Sequence, residues 1–98
     1  MAFDQIDSGF LEKEMDQAIV NVKSTIEMVR AEEYRKFTQI TNESDFALGW
    51  ALGQIVRGFG YFFLIRHGRN FNKSEMEEVV SRINKRSQEI KDAILAFS

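Results

Sequence analysis

Three helix-forming runs separated by two short polar breaks organise this chain. In the first run Leu11, Met15, Ala18, Val22, Ile26 and Val29 recur every three or four residues, the period of a helix with one apolar stripe. Asp7 or Ser8 is expected to cap it, with Glu12 and Glu14 near the positive end of its dipole. Glu32 and Glu33 interrupt the stripe, which resumes with Phe37 and Ile40. One helix of about thirty residues, or two joined by a kink near residues 30–33, would both fit. Residues 41–45 crowd capping side chains together and lead into a second helix, from about Asp45 to Arg66, with Gly68 as its stop. Asn72 or Ser74 is expected to cap a third, with Glu75 or Glu77 closing a capping box. Its stripe is Met76, Val80, Ile83, Ile90, Ile94 and Phe97. No period-two alternation appears. The pattern predicts an all-α chain in which residues 1–98 form a single helical domain. The arrangement expected is an antiparallel three-helix bundle with long helices, the first either whole or broken in two. A first helix longer than its neighbours leaves an apolar overhang, to be completed by self-association or a partner.

The second run is the most unusual. Around a helix, Gly49, Gly53 and Gly60 fall within about 40° of one another. Glycine costs roughly 1 kcal/mol in a helix interior, so three on one line point to close packing against another helix. Beside them Leu48, Leu52, Ile55, Phe59, Phe62 and Phe63 form a broad apolar face. Trp50, Gln54, Arg57 and Tyr61 follow each other at i, i+4, i+7 and i+11 on a further arc. Trp and Arg are the types that most often anchor interfaces, so this arc is the candidate partner-binding surface. An aromatic edge half buried under the first helix is the alternative. The run also approaches the length of a membrane span. Arg57 and Gln54 at its centre argue against spanning, because a mid-bilayer Arg costs about 2.5–3.5 kcal/mol even on lenient scales.

Composition then narrows the chemistry. With no Cys and a single His, His67, there is no thiolate metal site and no cysteine nucleophile. No metal or other cofactor is expected, and no catalytic residue stands out. His67, at a helix end, reads as a favourable charge there rather than as a general base. The absence of Pro agrees with long helices. The N-terminus lacks the basic start and apolar run of a signal peptide, which suits a cytoplasmic protein. Nine Phe suggest buried helix contacts or a second subunit.

Net charge is only −2, yet residues 1–53 carry five Lys and Arg against ten Asp and Glu, and residues 54–98 carry eight against five. That split suggests electrostatic self-complementarity or an anionic partner for the basic half. In a hairpin of the last two helices, Arg66, Arg69 and Lys73 at the turn would extend towards Arg82, Lys85 and Arg86. Such a strip could follow a nucleic-acid backbone, or simply complement a helix end and meet solvent.

The aromatic followed by Leu-Gly and again Leu-Gly in residues 46–55 resembles helices in the C-terminal helical part of CRISPR Cascade large subunits. That part resembles the separate small subunits, which are all-helical, non-enzymatic and of this size. The resemblance implies copies stacking along an effector complex and basic side chains guiding displaced single-stranded DNA. Together these features suggest a non-catalytic helical subunit mediating protein assembly, within a nucleoprotein complex. A homodimeric helical scaffold or regulator without nucleic acid, or a small membrane-associated protein, are the alternatives.

Overall fold

A computed structural model describes residues 3–97, with the Phe37 side chain outside the description. The chain is all-α: α1 (Gln5–Arg30), α2 (Glu32–Thr38), α3 (Glu43–His67) and α4 (Lys73–Phe97). The helix ends follow local chemistry. Asp4, rather than Asp7 or Ser8, caps α1 by accepting from the Asp7 N–H at 2.9 Å, which frees Asp7 for a tertiary role. The break between α1 and α2 falls at Ala31, in extended conformation, inside the interval where Glu32 and Glu33 interrupt the stripe. Asn42 accepts from the Asp45 N–H to start α3, and Gly68, left-handed at φ 71°, ends it, as only glycine adopts that conformation readily. At α4 both halves of a capping box are made. The Glu75 N–H donates to Asn72 Oδ1 at 2.8 Å, and the Asn72 N–H to Glu75 Oε1 at 2.9 Å.

The three long helices are 26, 25 and 25 residues, so the predicted overhang is not formed. The break at Ala31 ends α1 level with its neighbours, and only short α2 continues beyond. Whether Phe37 resumes the apolar stripe there lies outside the described residues. Contacts between helix ends give the directions. Arg30 near the end of α1 grips Glu43 at the start of α3, and Asp7 near the start of α1 meets Arg66 near the end of α3, so these helices are antiparallel. Arg82 reaches Ser8 and Arg86 reaches Glu12, so α4 runs parallel to α1. The long axis, 42 Å, is about one 25-residue helix.

All six residues of the predicted α1 stripe are buried. In α3 the buried set is Ala47, Ala51, Ile55, Phe59 and Phe63, a strict i, i+4 row that grows from small to large. Leu48, Leu52 and Phe62 only flank it. In α4 the core takes Val79, Ile83, Ile90 and Ile94. Met76, Val80 and Phe97, expected inside, are 39%, 48% and 42% exposed. The choice between adjacent Val79 and Val80 is set by helix rotation, which periodicity alone leaves open.

Most of the aromatic load is internal. Phe3, Phe59, Phe63 and Phe71 meet at one end of the bundle, with Phe3 edge-on to Phe59 at 5.1 Å and Phe63 4.9 Å from Phe71. Phe10 stacks flat on Phe62 at 3.9 Å.

Candidate partner-binding surface

The surface is built on the side of α3 that turns away from the core. Starting at Asp45, every fourth residue, namely Gly49, Gly53, Arg57, Tyr61 and Ile65, is exposed. This row lies about 200° round the helix from the buried row that starts at Ala47. The two rows are therefore nearly opposite. Within its most apolar 18-residue window α3 has a mean hydropathy of 1.3, yet only 22% of that window is buried. By length and composition it is the one helix among the described residues that could cross a membrane. Leu48, Leu52, Val56 and Phe62 pack partly buried against the core, while Trp50, Tyr61, Leu64 and Ile65 stay exposed.

Trp50, Gln54, Arg57 and Tyr61 share one side of α3. Gln54 and Arg57 line two adjoining shallow grooves. One, of about 560 Å³, runs between α3 and α1 and adds Tyr61, Gly58 and Glu14. The other, of about 470 Å³, lies on α3 itself, with Gly49 and Gly53 in its floor and Phe46, Trp50 and Asp45 around it. Trp50 is 41% exposed and leans on Phe46 at 5.8 Å between ring centroids. Arg57 and Asp45 make no ion pair among the described residues.

The glycine expectation is corrected. A Cβ at Gly49 or Gly53 would meet nothing within 4 Å, and one at Gly60 would meet only the Phe71 ring at 3.5 Å, an ordinary contact. No helix of this chain packs closely on Gly49 or Gly53, because the neighbours lie on the opposite side of α3. The position where space is tight is Gly58, where a Cβ would run into the Glu14 carboxylate of α1. The spacing sets Gly58 apart, about 140–180° round the helix from the Gly49, Gly53 and Gly60 line, but does not say that a neighbour lies there. Only the direction of α1 does.

The arginines of the basic strip are ion-paired within the molecule. Arg66 donates to Asp4 and Asp7 at 2.8 and 2.7 Å, and Arg69 to both oxygens of Glu75. Arg82 holds Glu78 and Ser8. Arg86 holds Glu12, Asp16 and Glu89. Three of these arginines join α4 or α3 to α1, so the charge difference between the halves is largely satisfied inside the molecule. Of the six predicted cations, Lys73 and Lys85 alone have no ion pair among the described residues. The Arg66 and Arg69 guanidinium groups hold the Asp4 and Glu75 carboxyls down at about 2, with the Asp7 and Asn72 N–H groups helping.

Sequence reasoning places Asp7 and Glu75 at helix starts but does not foresee their burial. Asp7 is 2% exposed and Glu75 5%. His67 Nε2 stands 3.1 Å from both Asp7 oxygens, so the lone histidine ties the end of α3 to the start of α1. Arg69 lies 5.1 Å over the Phe63 ring. These polar groups form a lid on the aromatic end of the core. Asp7 meets partners about sixty residues away, which leave no local signal. No group of three or more potential metal ligands occurs among the described residues.

Comparison with protein-family models, curated proteins and solved structures finds no match.

Proposed function

We propose that this protein is a non-catalytic helical subunit that docks a protein partner on the outward face of α3. The observation that carries this reading is that Trp50, Tyr61 and Ile65 stay exposed on one helix, with Trp50 and Tyr61 each lining an open groove. Exposed apolar faces of this kind mark sites that something covers. The mix of side chains favours protein over lipid. Trp50 and Arg57 are interface-anchoring types, and Arg57 at mid-helix would be costly among acyl chains. Gln54 and Tyr61 add hydrogen-bonding tips between apolar bodies.

A cytoplasmic nucleoprotein complex, as the Cascade-like residues 46–55 imply, would draw any backbone contact from Lys73 and Lys85, since the arginines of the strip already hold carboxylates. Nucleic-acid contact in this reading is weak and secondary.

A photo-crosslinking aromatic amino acid in place of Trp50, introduced in cells at natural expression level, tests the reading. A discrete adduct should form, be absent with the same probe at Lys23 on the exposed side of α1, and fade with Arg57→Ala. Absence of any adduct from the Trp50 probe would overturn it.

A further inference from the structure

We propose that the partner seated on this face is a second copy of the chain, with the two α3 helices antiparallel about a two-fold axis at the level of Ala51. This rests on the docking role of the α3 face and names its occupant. The argument is the self-complementarity of the exposed row. Asp45 and Arg57 lie six residues either side of Ala51, and Gly49 and Gly53 two either side. An antiparallel copy therefore sets Asp45 opposite Arg57 of the second copy, twice. The same operation sets Gly49 opposite Gly53, twice. Asp45 and Arg57 are the charged side chains lining the groove on α3. Each is exposed and without an ion pair among the described residues, and each is what the other lacks.

The flanking rows agree. On one shoulder stand Phe46, Trp50 and Gln54; on the other Leu48, Leu52 and Val56, which are half-buried and not fully covered. The same two-fold sets each shoulder against its own counterpart, with Trp50 beside Trp50 and Leu52 beside Leu52 of the second copy near the axis. Apolar bodies thus meet apolar bodies along both sides of the contact. A symmetric interface must be complementary to itself under its own axis, and this row satisfies that in charge, in size and in apolar character. The open space above Gly49 and Gly53 lets the second backbone approach closely, which side chains of ordinary size would prevent. Parallel pairing, by contrast, would set Asp45 beside Asp45 and Arg57 beside Arg57.

The test is a charge-exchange series followed by sedimentation equilibrium of the full chain, from about 1 to about 500 µM, the range suited to a small interface. Arg57→Asp and Asp45→Arg should each weaken dimerisation by about tenfold or more, because each places like charges together twice. The double variant should recover to within about threefold of the original. Gly53→Leu should abolish the dimer while the monomer stays folded, checked by circular dichroism. A chain that is monomeric throughout, or a dimer indifferent to both single reversals, overturns the second-copy proposal. An adduct from the Trp50 probe whose mass is not that of two chains would remove the second copy and leave the docking role standing. No adduct at all would remove both.

Discussion

The two opposite rows of α3 share a spacing and a helix but not a fate. Inward, Ala47, Ala51, Ile55, Phe59 and Phe63 are all buried; outward, Asp45, Gly49, Gly53, Arg57, Tyr61 and Ile65 are all exposed. Both rows are narrow at their N-terminal ends. On the inward side the alanines leave room that the core of this same molecule occupies. On the outward side the glycines leave room that nothing in the molecule occupies. Small residues on a helix therefore say that something comes close, and the rest of the fold decides whether it is the chain's own neighbour or another molecule.

The contrast can be broken most severely from the inward side. Phe59→Ala removes a ring at 0% exposure that touches Phe3, Phe62, Phe63 and Phe71. It should lower unfolding free energy by about 3–5 kcal/mol, read by urea denaturation. A loss below about 1 kcal/mol would mean that the aromatic end is loosely packed.

Leucine placed on each row sharpens the comparison. Ala51→Leu, at a position 3% exposed, should cost about 1–3 kcal/mol through overpacking. Gly53→Leu, only two residues on, should stabilise the monomer by up to about 1 kcal/mol through helix propensity. Thermal melts of both at low protein concentration check the opposite signs. A destabilised Gly53→Leu monomer would show that the outward row is already packed.

Acid should loosen the lid that ties the end of α3 to α1 and α4. The Asp4 and Glu75 carboxyls sit at about 2 in the folded protein against ordinary values of 3.8 and 4.5. Groups held low in this way contribute stability that is fully present above their unfolded values and lost as pH falls. The melting temperature should thus hold steady down to the ordinary carboxylate range and fall as pH drops from there towards 2. The combined variant Asp4→Asn with Glu75→Gln should melt lower at neutral pH and fall less in acid. Equal slopes in the two proteins would show that the pairs with Arg66 and Arg69 contribute nothing.

The smallest effect on stability belongs to Arg57→Ala, expected within about 0.5 kcal/mol because the side chain is exposed. A large loss would return Arg57 to the fold and away from the interface.

The sequence carries the local part of this architecture. The capping box of Asn72 and Glu75 and the stop at Gly68 are read from neighbouring residues, because the interactions that make them span four residues or fewer. The α1 stripe is legible for the same reason, since one face meets both other helices. What is not legible depends on how helices are turned towards each other. Val79 lies inside and Val80 outside, although both fit an apolar stripe. Arg66, Arg69, Arg82 and Arg86 read as a free cationic strip until the parallel course of α1 and α4, and the meeting of helix ends, bring carboxylates to them. Trp50, Gln54, Arg57 and Tyr61 could be grouped from spacing, because they share a helix. That Gly49 and Gly53 floor a groove beside them, instead of contacting a neighbour, needed the positions of α1 and α4.

Trp50 is the chain's single tryptophan and stands on the outward face, so its emission reports directly on whether that face is covered. Quenching by acrylamide, followed across protein concentration, tests the central claim. The account predicts a quenching constant that falls as the dimer forms, together with a blue shift in emission, both abolished by Gly53→Leu. A constant that stays the same from nanomolar to hundreds of micromolar protein, with no shift in emission, would contradict it.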